Sequence, residues 1–329
     1  MNAELTIIKA GWSVVQDLGR TGLSQYGIVR GGAADQYSAR AANALVGNAA
    51  MQPLIECTVQ GLAFVADVPL LMAVTGAPCD VRISDAIQPA WCPLVAPAGS
   101  LVELRDIRHG LRAYVALNGL IDVASVLGSV APDAGLGIGH ALIDGECLGL
   151  TSRFGNFSHP ATGIPLFLPR VTVPSFGSPW TIDVVDGPDM DDFGESGALL
   201  FREDYVVNPN SDTVGLRLTG TAPIRELNDE IVSRGVAIGS IEVPPSGELL
   251  VLQRGRMLTA GYPLIAVAST SGQSWLGQVI PGDTLRFRRG TLNDARDAAR
   301  RQRTDLDKTA QAVATALQSC GLTGVITSM

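Results

Sequence analysis

The stretch from Gly11 to Gly61 reads GWSVVQDLGRTGLSQYGIVRGGAADQYSARAANALVGNAAMQPLIECTVQG. Its opening alternates apolar and polar residues around Val14 and Val15, the period of a half-buried strand. Gln16, Asp17 and Arg20 then enter a run with glycine at 19, 22, 27, 31 and 32. Such a run builds irregular turns, because glycine accepts positive φ and close backbone approach. Asp35 suits a helix N-cap, where its carboxylate can accept a first-turn N–H. Gln36 to Val46 contains four alanines and no Gly or Pro. Gly47 is placed to stop that helix. A second strand is expected through Ile55, Glu56, Cys57 and Thr58. The unit reads strand, polar glycine loop, capped helix, strand.

The rest of the chain repeats the strand style. At 329 residues it can form two domains, each with its own core. Apolar residues make up 46% and charged residues 17%, which excludes global disorder. Aromatics are only 5% while glycine reaches 37 residues, a balance that points to short strands and tight turns. LAFVADVPLLMAV reads as two buried strands around an Asp67–Pro69 turn, and GSIEVPPSGELLVL as a hairpin around Pro245–Gly247. APIRELNDEIVSRG reads as a strand and a short helix ending at Gly235. Pro-rich 161–178 is the candidate linker. It separates an N-terminal β-rich lobe, 1–160, from a C-terminal lobe, 179–290. In 291–329, Thr291 and Asp294 form an acidic capping box. Leu306, Ala310, Val313 and Leu317 mark the apolar face of the amphipathic helix that follows.

The lobes echo each other. Glu56 matches Glu242 and Gly61 matches Gly247 at one offset of 186 residues, with Gly47 to Gly235 at 188 and Gly99 to Gly282 at 183. Similar offsets in the same order indicate a duplicated β-rich unit. The strand–helix–strand unit of the first lobe then has its counterpart near 211–250.

The net charge of −8 argues against nucleic-acid binding, and Arg286, Arg288 and Arg289 read as a solvated strand end. The five cysteines, 57, 79, 92, 147 and 320, show no metal or disulfide spacing, which fits free thiols in a reducing compartment. The N-terminus has no signal-peptide apolar core, and the longest apolar run is broken by Asp67 and Pro69. A soluble cytoplasmic protein without membrane or metal site is expected.

Nucleophile-elbow, HExxH and P-loop motifs are absent. The chemistry then falls on the polar set of the opening stretch: Gln16, Asp17, Arg20, Asp35, Ser38, Asn43, Asn48 and Glu56. Arg20 can grip a carboxylate or phosphate with two parallel N–H bonds, and Asp17 or Asp35 can orient it or handle a proton. Each of these residues also has a purely structural reading as cap, turn tie or backbone acceptor. The second lobe adds Arg217, Glu242, Thr259, Tyr262 and Gln278.

VVQDLGRTGLSQYGIVRGGAADQYSARAANALVGN resembles the opening signature of the allophanate hydrolase subunit 2, or biotin-dependent carboxyltransferase, family, which includes the C-type component of 5-oxoprolinase. LIECTVQG, YVALNGLIDVASVLGS, VVDGPDMDDF and LGQVIPGDTLRF continue the likeness over about residues 5–290. The resemblance implies a mainly β fold with a few helices: two cyclophilin-like β-barrel lobes related by an internal repeat. It also implies a hetero-oligomer with a subunit 1 or B-type partner, joined in some relatives by a third, A-type component. Three activities follow from it. One is ATP-hydrolysing opening of a lactam, amide or urea-like substrate, with ATP used at the level of the complex. Another is carboxyl transfer with biotin carried on another chain. The third is a non-catalytic role antagonising an inhibitor of a sensor kinase. Asp17, Arg20 and Asp35 are the candidate catalytic residues, with Gln16, Ser38, Asn43, Glu56, Tyr262 and Gln278 on substrate. The departures from the family pattern are His140 for arginine, Glu146 for aspartate, Glu242 for glutamine, Gly255 for an acid and Leu258 for threonine.

Overall fold

A computed structural model describes residues 2–152, 171–227 and 229–319 of the chain. The described residues are mostly β, with four α-helices: α1 Gln36–Leu45, α2 Leu199–Arg202, α3 Thr270–Leu276 and α4 Leu292–Ser319. No helix among them is long and apolar enough to cross a membrane. Two compact units result. The first holds 1–19, 36–175 and 302–329, and the second holds 20–35 and 176–301. Segment 20–35, which a contiguous division of the chain assigns to the first lobe, therefore belongs to the second unit. Of the expected linker 161–178, residues 161–170 lie outside the described residues, as do Cys320 and the tail beyond it.

In the first unit the strands form a seven-stranded and a six-stranded sheet. Their inward faces carry Leu5, Ile7, Ile55, Phe64, Val74 and Val115, all fully buried. Ser13–Gln16 pairs with Leu54–Thr58, the two strands expected on either side of the glycine loop. α1 stands between them in sequence and ends as predicted: Gly47 adopts φ +71° and its N–H donates to Ala44 O. The apolar face of α4 closes over that turn. Leu317 Cδ1 lies 2.8 Å from where a Cβ on Gly47 would stand, and the positive φ itself favours glycine there. The capping box of α4 also forms, with Thr291 Oγ1 accepting from Asp294 N and Asp294 Oδ2 accepting from Thr291 N.

The second unit is a closed barrel of seven strands. Six neighbouring pairs are antiparallel, and closure is made by a parallel pair, Trp180–Asp186 with Thr284–Arg289. Ile182, Val184, Tyr205, Ile241, Val251 and Leu285 fill the interior. The alternate residues face out. Arg288 lies directly opposite Asp183 in the parallel register and pairs with it, Arg289 pairs with Asp186, and Arg286 pairs with Asp204. The basic cluster, expected as a solvated strand end, is exposed and each arginine is also paired with an aspartate.

The repeat is visible as strand spacing. Leu54–Thr58 and Ala63–Ala66 recur as Ser240–Glu242 and Leu249–Leu252 at the same offset of 186, and Gly99 and Gly282 both take positive φ before a strand. The pairing differs. Ser240–Glu242 hairpins onto Leu249–Leu252, whereas Leu54–Thr58 pairs with Ser13–Gln16 and Arg112–Leu117. The helix expected to end at Gly235 does not form among the described residues. Arg234–Gly235 is instead a short strand against Thr259–Ala260. The segment before it exposes Ile224, Leu227 and Val232, so it has no apolar stripe to bury. Arg225, paired with Asp192 and Asp229, and Ile224, bonded through both N and O to Ser196 Oγ, hold an irregular loop. The second unit does carry a helix at α3, capped by Ser269 Oγ on Gly272 N.

Candidate functional site

The polar groups predicted from the opening stretch separate into two sets, one in each unit.

In the second unit, segment 20–35 is tied to itself and to two later loops. Arg20 N donates to Arg30 O at 2.7 Å, which folds the run back on itself. Arg254 Nε donates to Gly31 O at 2.8 Å, a bond across 223 residues of chain. At the end of the segment Asp35 Oδ2 accepts from Gln278 Nε2 at 2.9 Å, and both side chains are completely buried. The close approach depends on Gly277, where a Cβ would stand 2.5 Å from Ala34 C. A buried carboxylate met by a carboxamide keeps its orientation, because a misplaced rotamer leaves both groups unsatisfied. Arg20 is buried as well. Tyr262 is half-exposed near the end of the loop that carries Arg256, Met257 and Thr259. Arg256 Nε and Nη2 both donate to Val236 O, at 3.1 and 2.9 Å, which ties this loop to the strand Arg234–Gly235 region. Sequence reasoning passed over Arg30, Gln253, Arg254 and Arg256. The signal was present in QRGRM, where two arginines flank a glycine just after an apolar strand.

In the first unit, Asp17 is a fastener. Oδ1 accepts from Ser129 Oγ at 2.6 Å and Gly19 N at 2.7 Å, and Oδ2 accepts from Val130 N at 2.9 Å. Gln16 Oε1 accepts from Asp17 N at 3.3 Å. Asn43 Nδ2 donates to Gln52 O and its Oδ1 accepts from Asn48, whose Nδ2 also donates to Leu117 O. These two asparagines satisfy backbone at the end of α1. Ser38 is buried in α1, where its carbonyl accepts from Thr75 Oγ1. Glu56 pairs with Arg112 at 3.4 Å beneath the sheet surface. His140 and Glu146, both departures from the family pattern, meet each other: Nε2 lies 2.5 Å from Oε1.

Glu242 faces away from the barrel interior, opposite Leu250 and Leu264 in the strand registers. Its side chain is buried and Oε1 has no hydrogen-bond partner among the described residues. Burial pushes the Glu242 carboxyl above the usual carboxylate range. A carboxyl whose pKa is raised on folding contributes its stability below the unfolded value, about 4.3, and loses it as pH climbs through the folded value. Glu242→Gln is therefore expected to be more stable than the parent at neutral pH and to converge with it in acid. Urea unfolding at a series of pH values reads this directly, and a difference independent of pH removes Glu242 as the titrating group. Burial likewise pushes the Cys57 and Cys79 thiols up to about 12, so neither is a ready thiolate nucleophile. Among the described residues no group of three or more His, Cys, Asp or Glu is placed to hold a metal ion.

Fold and loops together define a class: a two-unit, mostly β protein whose buried polar groups sit on glycine-shaped loops between strands. The chain belongs to the carboxyltransferase family described as carboxyltransferase domain, subdomain A and B, which matches residues 26–289. It is 33% identical to the C-type component of 5-oxoprolinase from Escherichia coli over 305 residues, 91% of this chain and 95% of that protein. It is 29% identical to urea amidolyase of Saccharomyces cerevisiae, covering 86% of this chain and 16% of that one. Its fold superposes on the crystal structure of the K. lactis urea amidolyase with a TM-score of 0.83 at 26% identity, covering 93% of this chain and 20% of the larger enzyme. The chain therefore spans nearly the whole of the bacterial protein and about a fifth of the multidomain enzyme.

Proposed function

We propose that this chain is one component of a 5-oxoprolinase-like, ATP-hydrolysing complex that opens a lactam with a subunit 1 or B-type partner and a third, A-type component. The observation that carries this reading is the 33% identity that runs through 95% of the length of the bacterial 5-oxoprolinase component. In such a reaction ATP supplies the phosphoryl group that activates an amide carbonyl. The chain's own contribution is to hold anionic groups and fix their orientation. Arg20, buried in the folded-back 20–35 segment, supplies a delocalised positive charge with forked donors. Asp35, locked by Gln278, supplies a fixed carboxylate at the other end of the same segment, in the same unit.

Co-expression with homologues of the B-type and A-type partners, followed by an ATP-dependent 5-oxoproline assay, tests the reading. Arg20→Ala is expected to lower kcat/KM about tenfold or more, the scale of one lost charge-assisted hydrogen bond, with the complex still assembled. Unchanged turnover removes Arg20 from the site. An assembled complex with no ATP-dependent turnover of the lactam overturns the reading.

The TM-score of 0.83 with urea amidolyase favours a second reading, carboxyl transfer with biotin carried on another chain. Its mark is turnover that requires a biotinylated carrier and does not proceed with ATP and lactam alone.

A further inference from the structure

The turn that follows strand Leu249–Leu252 holds two arginines around an uncharged residue, Gly255. It is tight: Arg256 N donates to Gln253 O at 3.2 Å, and Gly255 N is held by Thr213 O at 2.9 Å. Arg254 anchors it to the 20–35 segment through Gly31 O, which brings the neighbouring Arg30 to the turn. Gln253 and Arg256 are each 8% exposed, so both are more than nine-tenths buried. Three buried donors have no partner among the described residues: Arg30 Nε, Arg256 Nη1 and Gln253 Nε2. Neither Arg30 nor Arg256 forms an ion pair with a carboxylate among the described residues. The charge that acts on Arg256 is instead the guanidinium of Arg30, which, after burial, pushes the Arg256 pKa down.

Arg256 is buried and Arg30 partly buried; two like charges held together without a counter-ion are costly, and unsatisfied buried donors add to the cost. Such an arrangement is stable when an anion completes it. The balance of charge decides which anion. A carboxylate brings one negative charge and leaves the pair with a net positive charge, whereas a phosphate group carries close to two at neutral pH. Its oxygens also match the forked donors of guanidinium.

We propose that Arg30 and Arg256 form a binding site for a dianionic phosphate group, either free phosphate or the terminal phosphate of a nucleotide. The inference rests on the proposed function and deepens it by naming the chemical class taken by this chain's own residues. Its test uses the isolated chain without partner or lactam, so it can fail while the lactam reading stands, and the reverse.

The experiment is thermal unfolding and calorimetric titration with sodium phosphate, against sodium chloride and sodium acetate at matched ionic strength. A saturable rise in Tm is expected with phosphate alone. Arg30→Gln keeps the Arg30 carbonyl that accepts from Arg20 and removes one of the two charges. It is expected to bind phosphate about tenfold or more weakly. Its unliganded Tm should equal or exceed that of the parent, since the repulsion is gone. Equal effects of phosphate and chloride on the parent overturn the proposal. So does an Arg30→Gln chain that binds phosphate as well as the parent, or one that is less stable without ligand, the mark of a structural arginine. Competition by ADP assigns the site to a nucleotide phosphate and its absence to free phosphate; either supports the dianion site.

Discussion

Asp17→Ala is expected to cost about 3–5 kcal/mol of stability, because it strands several buried donors at once. The carboxylate takes Ser129 Oγ, Val130 N and Gly19 N at 2.6–2.9 Å. Asp17 itself is buried, so water cannot replace it without opening the turn. Ser129 Oγ in turn accepts from Ala131 N at 3.0 Å, so the loss spreads along the second segment. Asp17→Asn should fall between parent and alanine. It keeps one acceptor oxygen but turns an amide NH₂ toward a donor. Urea unfolding midpoints and slopes measure the series. An alanine variant with parental stability but no turnover in the assembled complex would show the opposite role, a group that handles the substrate.

Gly277→Ala is the second large effect, expected at about 1–3 kcal/mol. Gly277 follows α3 with φ −71° and ψ −8°, a conformation alanine adopts freely. Backbone conformation therefore contributes nothing to the loss, and the whole effect is steric. A Cβ there would lie 2.5 Å from Ala34 C, 2.6 Å from Ala34 O and 2.9 Å from Asp35 N, all backbone atoms that cannot rotate away. The 34–35 backbone must move, and it carries the carboxylate bonded to Gln278. Stability and turnover should fall together. Gly235→Ala is the control, since an added Cβ there meets no atom within 4 Å and the φ is ordinary. A Gly277→Ala midpoint as close to the parent as that control would mean that segment 20–35 is not seated on α3's end.

The local devices were legible in the residues. α1 lies between Asp35 and Gly47, the Thr291–Asp294 box opens α4, and Leu306, Val313 and Leu317 are buried on one face of that helix. Each is written within one or two turns of chain, where periodicity and capping chemistry act. The hairpin at 240–252 was equally clear from its turn. The short helix expected to end at Gly235 does not form among the described residues, because a glycine stop was weighed without an apolar stripe to dock it.

The site residues show the limit of local reading. Asp17 and Arg20 are three residues apart in sequence, yet they belong to different units. What a polar side chain does depends on the donor or acceptor it meets. For Asp17 that partner is 112 residues away, for Asp35 it is 243, and for Arg254 it is 223. Sequence alone determined the mainly β character, the helix ends and which stretch is crowded with polar groups. Tertiary structure decided that Asp17 fastens a loop, that Asp35 is locked by Gln278, and that Arg30 and Arg256 come together with no carboxylate paired to either among the described residues. The reason is physical. Hydrophobic period and capping are short-range properties of the chain, whereas burial and charge compensation depend on which distant segments the fold brings into contact.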